Sequence, residues 1–182
     1  MHIYNKIYHF IDEFKESELE KIKFKNISII YRNYNKKIDI CEIINLKKYC
    51  KKRRFSLFLA NNFKLVWKLN LDGFYIPSFN KNFIHKKFLS KKKFILIGSS
   101  HNLSEIYFKK KQGCREIFLS PIFPIKKHNN YLDLSRFRLI TRFAKSRIIA
   151  LGGINKKNIK KLKMSNASGF ASISYIKKNG PE

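Results

Sequence analysis

Two consecutive glycines, Gly152 and Gly153, come directly after an apolar run at residues 148–151, and a helical pattern begins near Asn155. Glycine lets backbone N–H groups approach a ligand closely, and the N-terminus of a helix attracts anions. We therefore predict a phosphate-binding turn between a strand and a helix. The alternative is a tight turn in which glycine serves only the conformation of the chain.

Further polar groups follow the neighbouring apolar runs. Ser172 and Ser174 lie at the end of the last run, where their hydroxyls are predicted to donate hydrogen bonds to the same phosphate. Lys126, Lys127 and His128 follow a segment stiffened by two prolines and bring positive charge to a loop. Solvated polar residues in a short strand and in a loop are the alternative interpretation.

The elements that must position these groups are short runs of β-branched and aromatic residues, which alternate with amphipathic segments. Eight such runs are predicted as strands, at residues 6–11, 27–31, 55–60, 73–76, 94–98, 116–120, 148–152 and 169–174. Helix starts are predicted at Asn102 or Ser104, at Asp133 or Ser135, and at Asn155. This alternation is typical of a parallel sheet built from strand–helix units.

Eight strand–helix units favour a closed (β/α)8 TIM barrel, formed as a single domain over residues 1–182. The active site of this fold lies at the C-terminal ends of the strands, so the residues that follow each run are the candidates. Few residues follow Ile176, and the last covering helix is therefore predicted to be missing. An uncovered sector predicts a surface for a partner, such as a second copy in a homo-oligomer.

The composition limits the class of protein. Among 182 residues, 40 are Lys or Arg and 12 are Asp or Glu, which gives a formal net charge of +28. This charge attracts phosphates, nucleic acids and anionic surfaces without choosing between them. The abundance of Lys, Asn, Ile and Phe also fits a genome rich in AT codons. No apolar run reaches the roughly 18 residues of a membrane span, so we predict a cytoplasmic protein without membrane contact.

The order of several motifs resembles the thiamine phosphate synthase family. The longest are residues 113–124 (GCREIFLSPIFP), 149–155 (IALGGIN) and 169–174 (GFASIS). Shorter stretches precede them in the family's order, at residues 30–32, 59–62, 72–76 and 97–101. The resemblance covers nearly the whole chain.

The resemblance implies a transferase of thiamine biosynthesis. Such an enzyme joins a hydroxymethylpyrimidine pyrophosphate to a thiazole phosphate, releasing pyrophosphate and forming thiamine phosphate. A pyrimidine carbocation forms as pyrophosphate leaves, so the site must neutralise the leaving group with metal, cationic or N–H groups. The implied cofactor is Mg²⁺, and the implied partners are the two phosphorylated small molecules.

The resemblance also implies roles for particular residues. Arg32 and Asn61 would contact the pyrophosphate and the pyrimidine, and Ser100 would face the reacting centre. The two glycines and Ser174 would hold the thiazole phosphate.

The sequence departs from the family at the metal-binding end. The family's two magnesium-binding aspartates align with Asn62 and Asn80, and neutral amides bind Mg²⁺ less well than carboxylates do. Ile30 and Tyr34 replace a Gln and a Lys of the family. The basic loop at residues 126–128 replaces a Thr-x-Thr-Lys pattern, and its charge offers a way to neutralise pyrophosphate without metal.

Three functions remain open. The first is an active, diverged thiamine phosphate synthase. The second, prompted by the two asparagines, is a related barrel that binds a thiazole or thiamine phosphate but has lost the coupling chemistry. The third is a basic nucleic-acid-binding protein, prompted by the +28 charge and the 15% aromatic content. No recognised nucleic-acid motif is present, so such binding is expected to be non-specific.

Overall fold

A computed structural model describes residues 6–83, 95–125 and 130–178. Eight parallel strands close into a barrel, in which each strand pairs with the next along the chain and β8 pairs with β1. The strands are β1 Ile7–Ile11, β2 Ile27–Tyr31, β3 Ser56–Ala60, β4 Gly73–Ile76, β5 Ile95–Ser100, β6 Glu116–Leu119, β7 Arg147–Leu151 and β8 Gly169–Ser172. The predicted (β/α)8 barrel is confirmed, and an observed strand overlaps each of the eight predicted ones.

The helices lie between the strands, and the described part of the chain holds no helix long and apolar enough to cross a membrane. They are α1 Glu16–Glu20, α2 Ile40–Arg53, α3 Phe63–Leu69, α4 Leu103–Lys111, α5 Asp133–Ala144 and α6 Ser174–Lys178. Two predicted helix starts are confirmed. Asn102 caps α4 by accepting a hydrogen bond from the Glu105 N–H, and Asp133 accepts one from the Arg136 N–H in α5, each at 2.9 Å.

The α-helix predicted to start at Asn155 is wrong. A 3-10 helix, Ile159–Met164, begins four residues later. The Oδ1 atom of Asn155 accepts hydrogen bonds from the N–H groups of Lys157 and Asn158, and the Oδ1 atom of Asn158 accepts one from the Asn155 N–H. These local bonds compete with the hydrogen bonds of an α-helix, which explains the difference.

The last sector of the barrel is partly covered. A covering helix of ordinary length is not among the described residues, but the five-residue α6 follows β8 and buries Ile176. The ring of Tyr175 also packs against Phe170 and Phe24. Ser174 belongs to this helix, so its predicted place in the last strand is wrong. The uncovered sector beside β8 is therefore smaller than the sequence predicts.

Aromatic rings fill the interior of the barrel. The ring of Phe118 lies at the centre, with ring-to-ring distances of 5.0 Å to Tyr8, 5.7 Å to Phe10 and 5.9 Å to Tyr75. The alternate residues of each strand face outwards and form the second core with the helices. Because the rings close the interior, a ligand must bind above the strand ends.

A buried carboxylate lies at the opposite end of the barrel. Glu116, at the start of β6, is fully buried, accepts a hydrogen bond from the Tyr8 hydroxyl and forms an ion pair with Lys6. Burial raises the pKa of Tyr8, which keeps its hydroxyl protonated as the donor. This group is far from the strand ends that carry function in such barrels, and it stabilises the fold.

Candidate active site

Three cavities open at the C-terminal ends of the strands. The arginine cavity, of about 760 Å³, lies where β1 and β2 end and contains Arg32. The asparagine cavity, of about 630 Å³, lies where β2 and β3 end and contains Asn61 and Asn62. The glycine cavity, of about 1060 Å³, lies where β5, β6 and β7 end and contains Gly152. Because this end of a TIM barrel holds its active site, the three cavities together form the candidate site.

Arg32 lies on top of the aromatic interior of the barrel. Its guanidinium carbon is 4.7 Å from the centre of the Phe10 ring and 5.9 Å from that of the Tyr34 ring. Burial raises the pKa of the Tyr75 hydroxyl, and the neighbouring Ser99 hydroxyl and Arg32 guanidinium act on this pKa in the opposite direction. A fixed cation beside two hydroxyl groups can stabilise an anion that develops above the barrel.

Ser100 lies in β5, as predicted, but its side chain is engaged with the backbone. Its hydroxyl donates a hydrogen bond to the carbonyl oxygen of Phe118 at 3.1 Å, and the residue is fully buried. Ile97 belongs to the interior core and Leu96 to the outer core, so the alternation of the strand places Ser99 inwards and Ser100 outwards. The serine that faces the barrel axis is therefore Ser99.

The asparagine cavity is polar and cationic. Lys36 and Lys37 reach it from the loop after β2, while Asn61 and Asn62 line it at the end of β3. Within the described part of the chain, its lining holds no carboxylate. A cavity with two ammonium groups and neutral amides has the chemistry of an anion site.

An exposed aromatic pair forms the outer wall of this cavity. Tyr34 and Phe79 both line it, and their ring centres lie 5.5 Å apart in an edge-to-face arrangement. They are 47% and 62% exposed, respectively. Exposed rings above a polar cavity offer a surface on which a flat heteroaromatic ring can stack.

Asn80 is held in place by hydrogen bonds from three directions. Its Nδ2 atom donates to the Oδ1 atom of Asn61 at 2.7 Å, and its carbonyl oxygen accepts from Lys109 at 2.9 Å and Gln112 at 3.0 Å. The buried Lys109 also donates to the carbonyl oxygen of Pro77 at 2.6 Å. Burial lowers the pKa of Lys109 to about 8. The structure thus brings Asn80 and Asn61 together.

The asparagines do not fit Mg²⁺. The Oδ1 atom of Asn62 accepts from the Leu65 N–H at the start of α3, and that of Asn80 accepts from the Asn82 N–H. These oxygens are already engaged and uncharged, whereas Mg²⁺ in proteins is held by carboxylates together with substrate phosphates. Across the described ranges, no three His, Cys, Asp or Glu residues group as a metal site. The metal that the family resemblance implies has no suitable ligands at these two positions.

The glycine cavity combines basic, acidic, aromatic and apolar groups, and Asp133 is its carboxylate. His101, Tyr131, Arg136 and Leu151 line it together with Gly152. The Nδ1 atom of His101 lies 2.9 Å from the carbonyl oxygen of Ser120, which only accepts, so this nitrogen carries a proton. Arg136 supplies the charge suited to a phosphate, and Leu151 supplies an apolar surface.

The two glycines are required by the turn itself. Gly152 and Gly153 have φ angles of 94° and 69°, which favour glycine. A Cβ atom on Gly153 would lie 2.5 Å from the carbonyl oxygens of Phe123 and Pro124, and one on Gly152 would lie 2.7 Å from Pro121 Cβ. Conformation and close packing therefore explain both glycines, and phosphate binding at this turn remains a prediction.

The two serines occupy different places. Ser172 is buried, and its hydroxyl oxygen accepts a hydrogen bond from the Tyr175 N–H at 3.1 Å, which places it at the start of α6. Its carbonyl oxygen lies 3.0 Å from Nδ1 of His9. Ser174 is exposed in the first position of α6. Lys126, Lys127 and His128, which form the predicted basic loop, lie outside the described residues.

The sequence analysis missed several charged residues of the strand-end loops. Asp12 and Glu13 directly follow β1 and line the arginine cavity. Lys36 lines both the arginine and the asparagine cavities, and Lys37 lines the latter. Their position directly after a predicted strand, where the active site of this fold lies, is the feature of the sequence that indicates them.

Comparison with known sequences gives one family. A family model described as thiamine monophosphate synthase matches residues 9–176. A thiamine-phosphate synthase from Prochlorococcus marinus subsp. pastoris is 31% identical over 165 residues, which cover 87% of this chain and 46% of that protein. A putative thiamine-phosphate synthase 2 from Aquifex aeolicus is 27% identical over 166 residues, with 87% of each chain covered. The chain thus spans about half the length of the first relative and most of the second.

Comparison with solved structures agrees on the fold. A thiamine phosphate pyrophosphorylase from Pyrococcus furiosus superposes with a TM-score of 0.73 at 18% identity, covering 95% of this chain and 90% of that chain. One from Bacteroides thetaiotaomicron gives a TM-score of 0.59 at 16% identity, covering 94% and 83%. At these identities the similarity concerns the barrel alone.

Proposed function

The chain belongs to the thiamine monophosphate synthase family, and we propose that it couples a hydroxymethylpyrimidine pyrophosphate to a thiazole phosphate, giving thiamine phosphate and pyrophosphate. The observation that carries this proposal is that Arg32 lies over the Phe10 ring in a cavity at the ends of β1 and β2, while a cavity of different chemistry opens at the ends of β5, β6 and β7. The arginine and asparagine cavities together suit one of the two substrates, and the glycine cavity suits the other. Bond formation would then take place above the aromatic interior.

The pyrimidine substrate is assigned to the arginine and asparagine cavities. Its pyrophosphate needs cationic partners, and Arg32, Lys36 and Lys37 are the basic residues of these linings. The exposed rings of Tyr34 and Phe79 offer a surface for the flat pyrimidine. Asn61, fixed by its bond with Asn80, provides an amide beside them.

The thiazole phosphate is assigned to the glycine cavity. Arg136 provides a guanidinium for the phosphate, Leu151 provides apolar contact for the ring, and Gly152 lets the backbone come close. Ser172 and Ser174, on the neighbouring β8 and α6, are assigned to the rim. The basic loop at residues 126–128 is assigned to the same side of the site.

The reacting centre is assigned to the space above Tyr75, Ser99 and Arg32. As the bond to pyrophosphate breaks, negative charge grows on the leaving group, and the Arg32 guanidinium is fixed where it can stabilise that charge. The aromatic floor excludes water from below, which protects a pyrimidine cation from hydrolysis. The thiazole nitrogen then attacks the methylene carbon. Ser100 positions β6 through its bond to the Phe118 carbonyl.

A direct assay tests the proposal. The full chain is incubated with both substrates, and thiamine phosphate and pyrophosphate are measured by mass spectrometry. We expect both products in equal amounts, with a strong loss of rate in Arg32→Ala and none in Arg54→Ala, since Arg54 ends α2 at the other end of the barrel. Absence of product from a folded protein contradicts the proposal.

The engaged asparagines favour one second candidate. A family member that binds thiazole phosphate or thiamine phosphate without coupling needs the glycine cavity only. Calorimetry with each phosphate separates the two functions, because the second candidate predicts binding without turnover. A cytoplasmic location, a single domain over residues 1–182, self-association and non-specific binding of nucleic acid stay predictions.

A further inference from the structure

We propose that the asparagine cavity binds the pyrophosphate group of the substrate without a divalent metal ion, through the ammonium groups of Lys36 and Lys37. This inference rests on the proposed function, since it concerns one of the two substrates. It differs from the magnesium site that the family resemblance implies. The two lysines come from the loop between β2 and α2.

The first support is the state of the amide oxygens. The oxygens of Asn61, Asn62 and Asn80 each accept a hydrogen bond within the protein, at 2.7, 3.0 and 2.9 Å, respectively. An oxygen that already accepts from an N–H group is a poor ligand for a small cation that demands close octahedral coordination. The asparagines therefore shape the cavity and do not hold a metal.

The second support is the sign of the charge. Among the residues that the structure describes, the lining contains the cations Lys36 and Lys37 and no carboxylate. A divalent cation would meet repulsion there, whereas a pyrophosphate would meet opposite charges on two flexible side chains. Metal and lysine perform the same electrostatic task on a leaving phosphate, so the lysines can take the place of the ion.

The nearest alternative is a metal ion held by Asp12 and Glu13. These residues line the neighbouring arginine cavity, where Arg32 and Lys36 also lie. Glu13 forms an ion pair with Lys15, so its charge is already partly neutralised. The experiment must therefore separate a lysine site from a relocated metal site.

Calorimetric titration of inorganic pyrophosphate into the full chain makes this separation. We expect the same dissociation constant, within about twofold, in excess Mg²⁺ and in excess EDTA, after correction for the magnesium–pyrophosphate complex formed in solution. The double variant Lys36→Ala/Lys37→Ala should bind roughly tenfold more weakly or worse. The matched control is Lys51→Ala/Lys52→Ala, which removes the same charge from the last turn of α2. Its affinity should equal that of the unchanged protein.

Three results overturn the inference. One is binding that requires Mg²⁺, especially if Asp12→Asn/Glu13→Gln abolishes it. Another is normal affinity in the Lys36/Lys37 variant with a thermal unfolding curve that shows a folded protein. The third is the absence of pyrophosphate binding under both conditions.

The coupling assay keeps this inference distinct from the proposed function. Thiamine phosphate formed only when Mg²⁺ is present, together with pyrophosphate binding that also requires Mg²⁺, supports the function and overturns the metal-free site. Metal-independent pyrophosphate binding without any coupling supports the site and contradicts the function. Product formation in EDTA supports both.

Discussion

The guanidinium carbon of Arg32 lies 4.7 Å from the centre of the Phe10 ring, at the top of the aromatic interior of the barrel. The guanidinium lies over the Phe10 ring and beside the Tyr75 hydroxyl, so its surroundings on two sides restrict its orientation. Arg32 thus combines a delocalised charge with a defined orientation. A point charge on a flexible stem would provide only the first of these.

The first prediction concerns this orientation. Replacing Arg32 by Lys keeps the charge but loses the guanidinium over the Phe10 ring and its fork of donors. We expect kcat for coupling to fall by about 10²-fold, the magnitude typical of losing one preorganised donor to a transition-state anion. Steady-state kinetics of Arg32→Lys beside Arg54→Lys measure it. A rate close to that of the unchanged protein would show that charge alone suffices.

The strands could be predicted from the sequence because burial on both faces restricts which residues they contain. A strand covered on both faces must be apolar along its length, so residues 148–151 and 117–119 stand out among the lysines and asparagines that surround them. The loops carry no comparable constraint. The segment after Gly153 looks helical by spacing, but the side chains of Asn155 and Asn158 bind nearby backbone groups and prevent an α-helix.

The candidate site could be predicted only in part. Arg32, Asn61 and Gly152 lie at strand ends, where the order of motifs places them. The serine that faces inwards is Ser99 and not Ser100. Side chains of β5 alternate between the interior and the helices, and Ile97 belongs to the interior core, so the inward position two residues later is Ser99. Lys36 was overlooked because no motif contains it, and only the closed barrel brings it beside Asn62.

The second prediction concerns the glycine turn. Gly153→Ala should destabilise the protein by about 1–3 kcal/mol from backbone strain, and the new Cβ would also press on the carbonyl groups of Phe123 and Pro124. Urea unfolding followed by circular dichroism measures the change. Lys157→Ala, four residues further on, is the control and should have little effect. Equal stabilities for the two variants would contradict this account of the turn.

The third prediction compares two Glu–Lys pairs of the same chemistry. Glu116→Gln removes a fully buried carboxylate that contacts Lys6 and Tyr8, and the expected loss of stability is about 1.5–3 kcal/mol. Glu13→Gln breaks the exposed pair with Lys15 and should leave the stability nearly unchanged, because water screens this pair. Urea unfolding of both variants tests the difference. A smaller loss for Glu116→Gln than for Glu13→Gln would contradict the assignment of a stabilising role.

The fourth prediction concerns pH and the buried Lys109. Its pKa is about 8 in the folded protein, while the exposed side chain of the unfolded chain has the ordinary value of 10.5. Between these values the unfolded state binds more protons than the folded state, so this residue makes the protein more stable as the pH rises. Below about pH 8 Lys109 is protonated in both states, and burial of its charge lowers the free energy of unfolding by the full amount. An uncharged amine still has two N–H donors for Pro77 and Asn80.

Replacement of Lys109 by Met removes this titrating group, so comparison with the unchanged protein isolates its contribution. The free energy of unfolding of the unchanged protein minus that of Lys109→Met should increase between pH 7 and about pH 10. Urea unfolding at several pH values gives the difference directly, and Lys111→Met controls for the loss of one positive charge from α4. If the difference stays constant or decreases over this interval, Lys109 is not a desolvated cation in the folded state.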